Sequence, residues 1–180
     1  MIKDRQGREQ LVLSDEDFCN DDIMGDKLEN YEILQVFLEE KEKDRPIFMS
    51  KVRSKFNSKI YVMKKIEENY AKKSNEENIK KEFESFKNMN SPNITKYFKY
   101  FYQDNCLYII FEYVNNCDLK DLFNTYINLE KPIDTNTLWN IFMQCISALK
   151  YIHNKNIIHK NIKLSNIFMT ENNIIKLGDF

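Results

Sequence analysis

Short runs of alternating apolar and polar residues fill most of the first two thirds of the chain. Such runs, rich in β-branched and aromatic side chains, are typical of β-strands. They predict five strands, at residues 31–37, 47–53, 59–66, 97–102 and 107–114. Turn-forming residues at 56–58 and 103–105 separate paired strands. The highly charged residues 38–46 are predicted to form a solvated loop or hairpin.

A helical spacing replaces this alternation in three places. Residues 75–89 carry Ile79, Phe83 and Phe86 on one stripe. Residues 118–126 predict a short helix and residues 135–154 a long amphipathic one. The stripe of the long helix comprises Leu138, Ile141, Phe142, Cys145, Leu149 and Ile152. Further strand-like pieces are expected at residues 156–158, 167–169 and 174–177, so the order of elements predicts an α+β fold.

Composition narrows the classes of partner. Hydrophobic residues make up 42% of the chain, and 27 basic and 28 acidic residues give a net charge of −1. A core can therefore form, and the charge favours neither nucleic acid nor an anionic membrane as a partner. No apolar run approaches the length of a membrane span. Residues 1–28 are polar and acidic without a signal-peptide pattern, which predicts a flexible leader or a loosely docked extension on a cytoplasmic protein.

Five short motifs follow one another along the chain. They are YVMK at 61–64, a glutamate at 82, FEYV at 111–114, HKNIKLSN at 159–166 and DF at 179–180. In this order they resemble the strand lysine, its helix glutamate, the hinge, the catalytic loop and the start of Asp-Phe-Gly in protein kinases. The segments YEILQV and ALKYIHNKNIIHK are most similar to the NIMA-related (Nek) serine/threonine kinases. By this resemblance, residues 31–180 are identified as kinase sequence.

The resemblance implies a bilobal kinase fold. A complete five-stranded antiparallel sheet with one helix would form the N-lobe, at residues 29–114. Residues 115–180 would form only the first part of the helical C-lobe, because the chain stops after Asp-Phe. Leu138, Ile141 and Phe142 would then lie in an open apolar patch, and another chain is expected to complete the lobe.

ATP and Mg²⁺ are the cofactors that the resemblance implies. Lys64 would contact the phosphates and pair with Glu82, while Asn166 and Asp179 would hold the metal ion. The adenine pocket would be formed by Val62, Phe111, Glu112, Val114 and Phe168, with Met49 beside them. Val62 replaces the usual alanine and is expected to crowd the nucleotide. A second apolar stack would comprise Phe86, Tyr97, His159 and Phe180.

Two departures from the kinase pattern concern catalysis. Asn161 stands at the position of the catalytic aspartate, and a neutral amide is a poor proton acceptor. Residues 38–46, at the position of the glycine-rich loop, contain no glycine. Backbone amides approach phosphate closely where glycine removes the side chain. The resemblance therefore implies impaired phosphoryl transfer, although Lys163 keeps the lysine that is typical of serine/threonine kinases.

Three functional hypotheses stay open at this point. The first is a Nek-like pseudokinase that retains some ATP binding and has a regulatory or scaffolding role toward a protein partner. The second is an active serine/threonine kinase with protein substrates, and the third is a kinase fragment without function. Resemblance to Nek kinases also implies an association with the cytoskeleton, centrosome or cilium.

Overall fold

The computed structural model describes residues 2–3, 9–10, 25–42, 45–67 and 76–179. The strands are β1 (Ile2–Lys3), β2 (Glu9–Gln10), β3 (Tyr31–Glu42), β4 (Arg45–Ser54), β5 (Ile60–Glu67), β6 (Tyr97–Gln103), β7 (Cys106–Glu112), β8 (Asn116–Asp118), β9 (Ile167–Thr170) and β10 (Ile175–Leu177). The helices are α1 (Glu76–Lys87), α2 (Leu119–Asn128) and α3 (Thr135–His153). The predicted α+β fold is confirmed.

An antiparallel five-stranded sheet forms the first lobe, with the strand order β3-β4-β5-β7-β6. Successive side chains on a strand point to opposite faces. Tyr61 and Met63 of β5 are accordingly buried in one apolar cluster, while Val62 and Lys64 take the other face. On that other face Phe83 of α1 stacks against Tyr97 of β6, with ring centroids 5.2 Å apart. The sheet thus presents Val62 and Lys64 toward the second lobe.

Residues 38–46 are expected to form either a solvated loop or a hairpin, and the structure shows the paired strands of a hairpin. Strand β3 continues beyond the predicted end at residue 37 as far as Glu42, which pairs with Arg45. The register is unbroken from the Leu38–Met49 pair onward. Pairing with the β-prone strand β4 outweighs the low strand propensity of successive glutamates and lysines. The side chains of residues 38–42 and 45, and all of residues 43–44, lie outside the described residues.

Helices α2 and α3 of the second lobe begin at aspartate caps. The Asp118 carboxylate accepts a hydrogen bond from the Asp121 amide at 2.8 Å, and the Asp134 carboxylate accepts one from the Thr137 amide at 3.0 Å. Such caps satisfy backbone N–H groups that have no partner within the helix. Their position explains why both helices start within a residue of the start that the apolar pattern predicts.

Helix α3 packs one stripe against β10 and exposes the neighbouring one. Ile141, Ala148 and Ile152 are buried in the core of this lobe. Phe142 is 53% exposed and Leu138 41%. The expectation of an open apolar patch therefore holds for these two, but it is wrong for Ile141, whose side chain lies on the packed stripe.

A hydrogen-bonded network joins the segment before β6 to the second lobe. The Asn93 side-chain amide donates to Gln144 Oε1 of α3 at 3.0 Å and to the Ile175 carbonyl at 2.8 Å. The Leu177 amide donates to the Asn93 carbonyl at 2.9 Å, and the Thr95 amide donates to the Leu177 carbonyl at 3.0 Å. Strand β10 is thereby fixed just before the residues that reach the site.

The remaining differences from the predicted elements lie in short segments. Residues 156–158 form no strand, because the chain there only turns away from the end of α3. Strands β1, β2 and β8 were not predicted, since two or three residues are too few to show alternation. Residues 25–28 of the predicted leader pack on the sheet, where the Leu28 amide donates to Gln103 Oε1 at 2.8 Å.

Within the described part of the chain, no helix is both long and apolar enough to cross a membrane.

Candidate functional site

A cleft opens where the five-stranded sheet meets the small sheet β8-β9-β10. Met49 and Val62 line it from the first lobe, and Phe168 of β9 lines it from the second. The other lining residues are Phe37, Thr95, Phe111, Glu112, Tyr113, Val114, Gly178 and Asp179. Its volume of about 120 Å³ is close to the ~150 Å³ of an apolar protein cavity that binds benzene. Such an apolar slot suits a flat aromatic ring, with polar groups of the ligand directed toward Asp179.

An ion pair marks the polar end of this cleft. Lys64 Nζ donates to Asp179 Oδ1 at 2.7 Å, and the two side chains are 15% and 28% exposed. Partial burial makes such a pair stronger than a solvated surface pair. Asp179 has a φ of 60°, a left-handed conformation that aspartate adopts more readily than most residues. The sheet therefore fixes the lysine, and a turn after β10 brings the carboxylate to it.

Two asparagine amides contact the second oxygen of Asp179. Asn161 Nδ2 donates to Asp179 Oδ2 at 2.9 Å, and Asn166 Nδ2 donates to the same oxygen at 3.3 Å. Asn166 is buried, and its amide also donates to the Asn161 carbonyl at 2.8 Å. The carboxylate is thus surrounded by N–H donors from one lysine and two asparagines. None of the three can accept a proton from a substrate hydroxyl.

Nitrogen donors surround Asp179 in this structure, so the expected role of Asn166 and Asp179 as magnesium ligands stays a prediction. Mg²⁺ takes oxygen ligands in near-octahedral geometry. Both oxygens of Asp179 instead accept hydrogen bonds from nitrogen, and Asn166 directs its amide nitrogen at the carboxylate. Among the residues that the structure describes, no group of three or more His, Cys, Asp or Glu side chains is placed to hold a metal.

His159 stabilises the cluster through hydrogen bonds to the backbone. Its Nδ1 accepts a hydrogen bond from the backbone amide of Asn161 at 3.3 Å. Nε2 therefore carries the ring proton and donates to the Gly178 carbonyl at 3.0 Å. Burial of the ring lowers the pKa of His159 from its usual 6.5, although the bond to Gly178 and the charge of Asp179 act in the opposite direction. The neutral ring therefore holds Asn161 and the residue before Asp179 together.

The lowered pKa of His159 predicts a loss of stability in mild acid. Protonation favours the unfolded chain, where the pKa is higher, so the contribution is complete above pH 6.5 and is lost as the pH falls through the folded-state pKa. Denaturant unfolding between about pH 8 and pH 5 should show this loss in the wild type and in His153→Gln, whose site is exposed. His159→Gln should have a flatter profile. An equally steep profile in His159→Gln would refute the assignment.

Gly178 lies where a side chain has no room. A Cβ atom there would approach Thr95 Oγ1 to 2.8 Å and Phe168 Cε2 to 3.0 Å. Thr95 is itself held by a hydrogen bond from its hydroxyl to the Leu177 carbonyl, at 3.2 Å. The close approach of β10 to Phe168 and Thr95 therefore depends on glycine, and it sets the width of the cleft.

We expect Gly178→Ala to destabilise the protein. The added methyl group overpacks the contact with Thr95 and Phe168, and such overpacking costs about 1–3 kcal/mol. Urea denaturation measures the effect, with Ser85→Ala on the exposed side of α1 as a control that should stay within about 0.5 kcal/mol of the wild type. A Gly178→Ala variant as stable as the control would contradict this account of the packing.

The hinge between the lobes is held by Glu112. Its Oε2 accepts hydrogen bonds from the Lys96 amide and from Lys176 Nζ, each at 3.0 Å. The Glu112 amide also donates to the Lys96 carbonyl at 2.8 Å. These contacts tie the hinge to β10 and to the segment before β6, so the carboxylate of Glu112 has a structural role.

Most of the site residues predicted from the sequence converge on this cleft and cluster. Val62, Phe111, Glu112, Val114 and Phe168 line the cleft; Lys64, Asn161, Asn166 and Asp179 form the cluster. Lys163 is exposed at the start of the turn Leu164–Asn166, outside these contacts. The Glu82 side chain and Phe180 lie outside the described residues, so the Lys64–Glu82 pairing and the end of the His159 stack stay predictions.

Sequence reasoning missed three lining residues, Phe37, Thr95 and Gly178, whereas Tyr113 belongs to the predicted hinge. The scarcity of glycine was a usable signal for Gly178. This residue follows a stretch of more than 150 residues without glycine and directly precedes Asp179. Thr95 and Phe37 carry no such signal, because their role arises only when the lobes are brought together.

A two-lobed α+β fold whose interlobe cleft ends in a lysine–aspartate pair beside an asparagine-rich loop is that of a protein kinase. The family model described as "Protein kinase domain" matches residues 48–180. The chain therefore belongs to the protein kinase family.

Curated relatives agree with this assignment. Mouse serine/threonine-protein kinase Nek1 is 33% identical over 131 residues, which cover 72% of this chain and 11% of that protein. The Aurora kinase of Saccharomyces cerevisiae is 34% identical over 130 residues, covering 72% and 34%. A probable serine/threonine-protein kinase nek2 of Dictyostelium discoideum is 31% identical over 137 residues, covering 73% and 33%. The chain thus spans no more than about a third of these relatives.

Proposed function

We propose that this chain is a Nek-like serine/threonine protein kinase domain that binds ATP but transfers its phosphate poorly. Its role is then regulatory or scaffolding, exerted through a protein partner in the cytoplasm. One observation carries this proposal: the side-chain amide of Asn161 donates a hydrogen bond to Asp179. At the position of Asn161 an active kinase requires a carboxylate that accepts the proton of the substrate hydroxyl.

Nucleotide binding is supported by the shape and polarity of the cleft. Val62, Met49 and Phe168 offer apolar walls to adenine, and Lys64 offers a positive charge to the phosphates at the Asp179 end. Val62 carries two more methyl groups than the alanine usual in kinases and lies directly opposite Phe111 in the strand register. A tight adenine site with modest affinity is the consequence.

Weak transfer is supported by the β3–β4 hairpin. The unbroken ladder from the Leu38–Met49 pair to the Glu42–Arg45 pair commits backbone groups to strand pairing. A loop without glycine also keeps a side chain at every position over the phosphates. The terminal phosphate would then lack both a backbone cradle and a general base, which are two of the aids that phosphoryl transfer draws from protein.

An active kinase is the second candidate, and one observation favours it. The Lys64–Asp179 pair at 2.7 Å retains two residues that orient phosphates in active kinases. A different carboxylate supplied by a partner or by the substrate would have to replace the missing base.

A thermal-shift titration of the full chain tests the proposed nucleotide site. ATP should raise the melting temperature in a saturable way, because at 100-fold excess over Kd it adds about 2.7 kcal/mol of stability. Inorganic tripolyphosphate at the same concentration is the control, and it should have little effect because it cannot fill the apolar cleft. The proposal fails if ATP gives no saturable shift beyond that of tripolyphosphate.

A further inference from the structure

Both oxygens of the Asp179 carboxylate accept hydrogen bonds from nitrogen donors. Lys64 Nζ contacts Oδ1 at 2.7 Å, and Asn161 Nδ2 contacts Oδ2 at 2.9 Å. Asn166 Nδ2 adds a longer contact to Oδ2 at 3.3 Å. A divalent cation that approached Oδ2 of Asp179 would have to displace the two asparagine N–H groups.

The charge of the cluster is also unfavourable to a cation. Lys64 and Asp179 carry opposite unit charges and cancel, while Asn161 and Asn166 are neutral. An aspartate at position 161 would place a second negative charge within hydrogen-bond distance of Asp179 Oδ2. Two carboxylates so close together repel each other and attract a divalent cation between them.

We propose that Asn161 makes nucleotide binding by this chain independent of divalent cations. Its amide acts as a fixed neutral substitute for the metal at Oδ2 of Asp179, and Lys64 supplies the positive charge that faces the phosphates. This inference rests on the proposed nucleotide site. It concerns the form of the nucleotide that binds there: free ATP binds as tightly as the magnesium complex of ATP.

Isothermal titration of the full chain with ATP, in EDTA and in saturating Mg²⁺, tests the proposal. The wild type should give the same Kd within about twofold under both conditions. Asn161→Asp should weaken binding of free ATP and strengthen binding in Mg²⁺, so that the ratio of the two Kd values changes by about tenfold or more. Asn172→Asp, on the exposed turn between β9 and β10, adds the same charge elsewhere and should behave as the wild type.

Asn161→Ala provides a second variant should Asn161→Asp fold poorly. It removes the closer of the two donors to Oδ2 without adding charge, so we expect a metal response between those of the wild type and of Asn161→Asp. A wild type whose affinity rises tenfold with Mg²⁺, or position-161 variants that gain no metal response, would overturn the inference while leaving nucleotide binding intact. Absence of ATP binding under both conditions would instead refute the proposed nucleotide site.

Discussion

Replacing Lys64 with methionine is expected to weaken ATP binding by about ten- to a hundredfold, because a hydrogen bond to a charged group contributes roughly 1.5–3 kcal/mol. The Lys64 side chain is only 15% exposed and has its charge at the Asp179 end of the cleft. Its loss would leave the carboxylate of Asp179 facing the phosphates with no cation between them. Repulsion would then add to the lost attraction.

Lys65→Met is the matched control for this experiment. Lys65 is the next residue on β5 and points to the other face, where its Nζ donates to Glu67 Oε1 at 3.0 Å. We expect its ATP affinity to stay within about threefold of the wild type, since exposed pairs contribute little. Titration calorimetry measures both variants. Equal losses for Lys64→Met and Lys65→Met would show that Lys64 has no special place in the site.

The second large effect concerns the reaction itself. We expect transfer of the γ-phosphate from ATP to serine- and threonine-containing peptides to be slow. Compared with kinases that have an aspartate at the position equivalent to Asn161, the rate should be about 10²- to 10⁴-fold lower, because that is the usual contribution of positioned acid–base groups. The Asn161 amide cannot accept the hydroxyl proton, and it is itself a donor to Asp179. Radiolabel transfer over long incubations measures the rate.

Lys64→Met supplies the baseline for that assay. Any label in the wild type that equals the label in Lys64→Met is background, because the variant lacks the phosphate-binding charge. We expect the wild type to exceed this baseline only slightly, as the 10²- to 10⁴-fold reduction requires. Label that accumulates in the wild type as fast as in kinases with the catalytic aspartate, and that disappears in Lys64→Met, would favour the active-kinase candidate.

The helices and most strands could be predicted from residue patterns because local and tertiary preferences agree there. Helix α3 has both an apolar stripe and an aspartate cap, and its bounds match the predicted ones within a residue. The β3–β4 hairpin shows the opposite case. Its charged residues have low strand propensity, and only pairing with the partner strand extends β3 to Glu42.

The site was predictable in its residues but not in its contacts. Motif order identifies Lys64, Asn161, Asn166 and Asp179 as neighbours, since each motif has a fixed place in the fold. The motif does not reveal which atoms donate. The hydrogen bonds from both asparagines to a single oxygen of Asp179 follow from side-chain orientation, which depends on the fold around Gly178 and His159. The same holds for Thr95, which reaches the cleft only through its contact with β10.

A crystal structure of the full chain with ATP tests the central claim most directly. We expect adenine between Val62 and Phe168, phosphates within hydrogen-bond distance of Lys64, and no carboxylate other than Asp179 near the terminal phosphate. Main-chain amides of residues 38–46 folded around the phosphates, together with a second carboxylate beside Asn161, would contradict it.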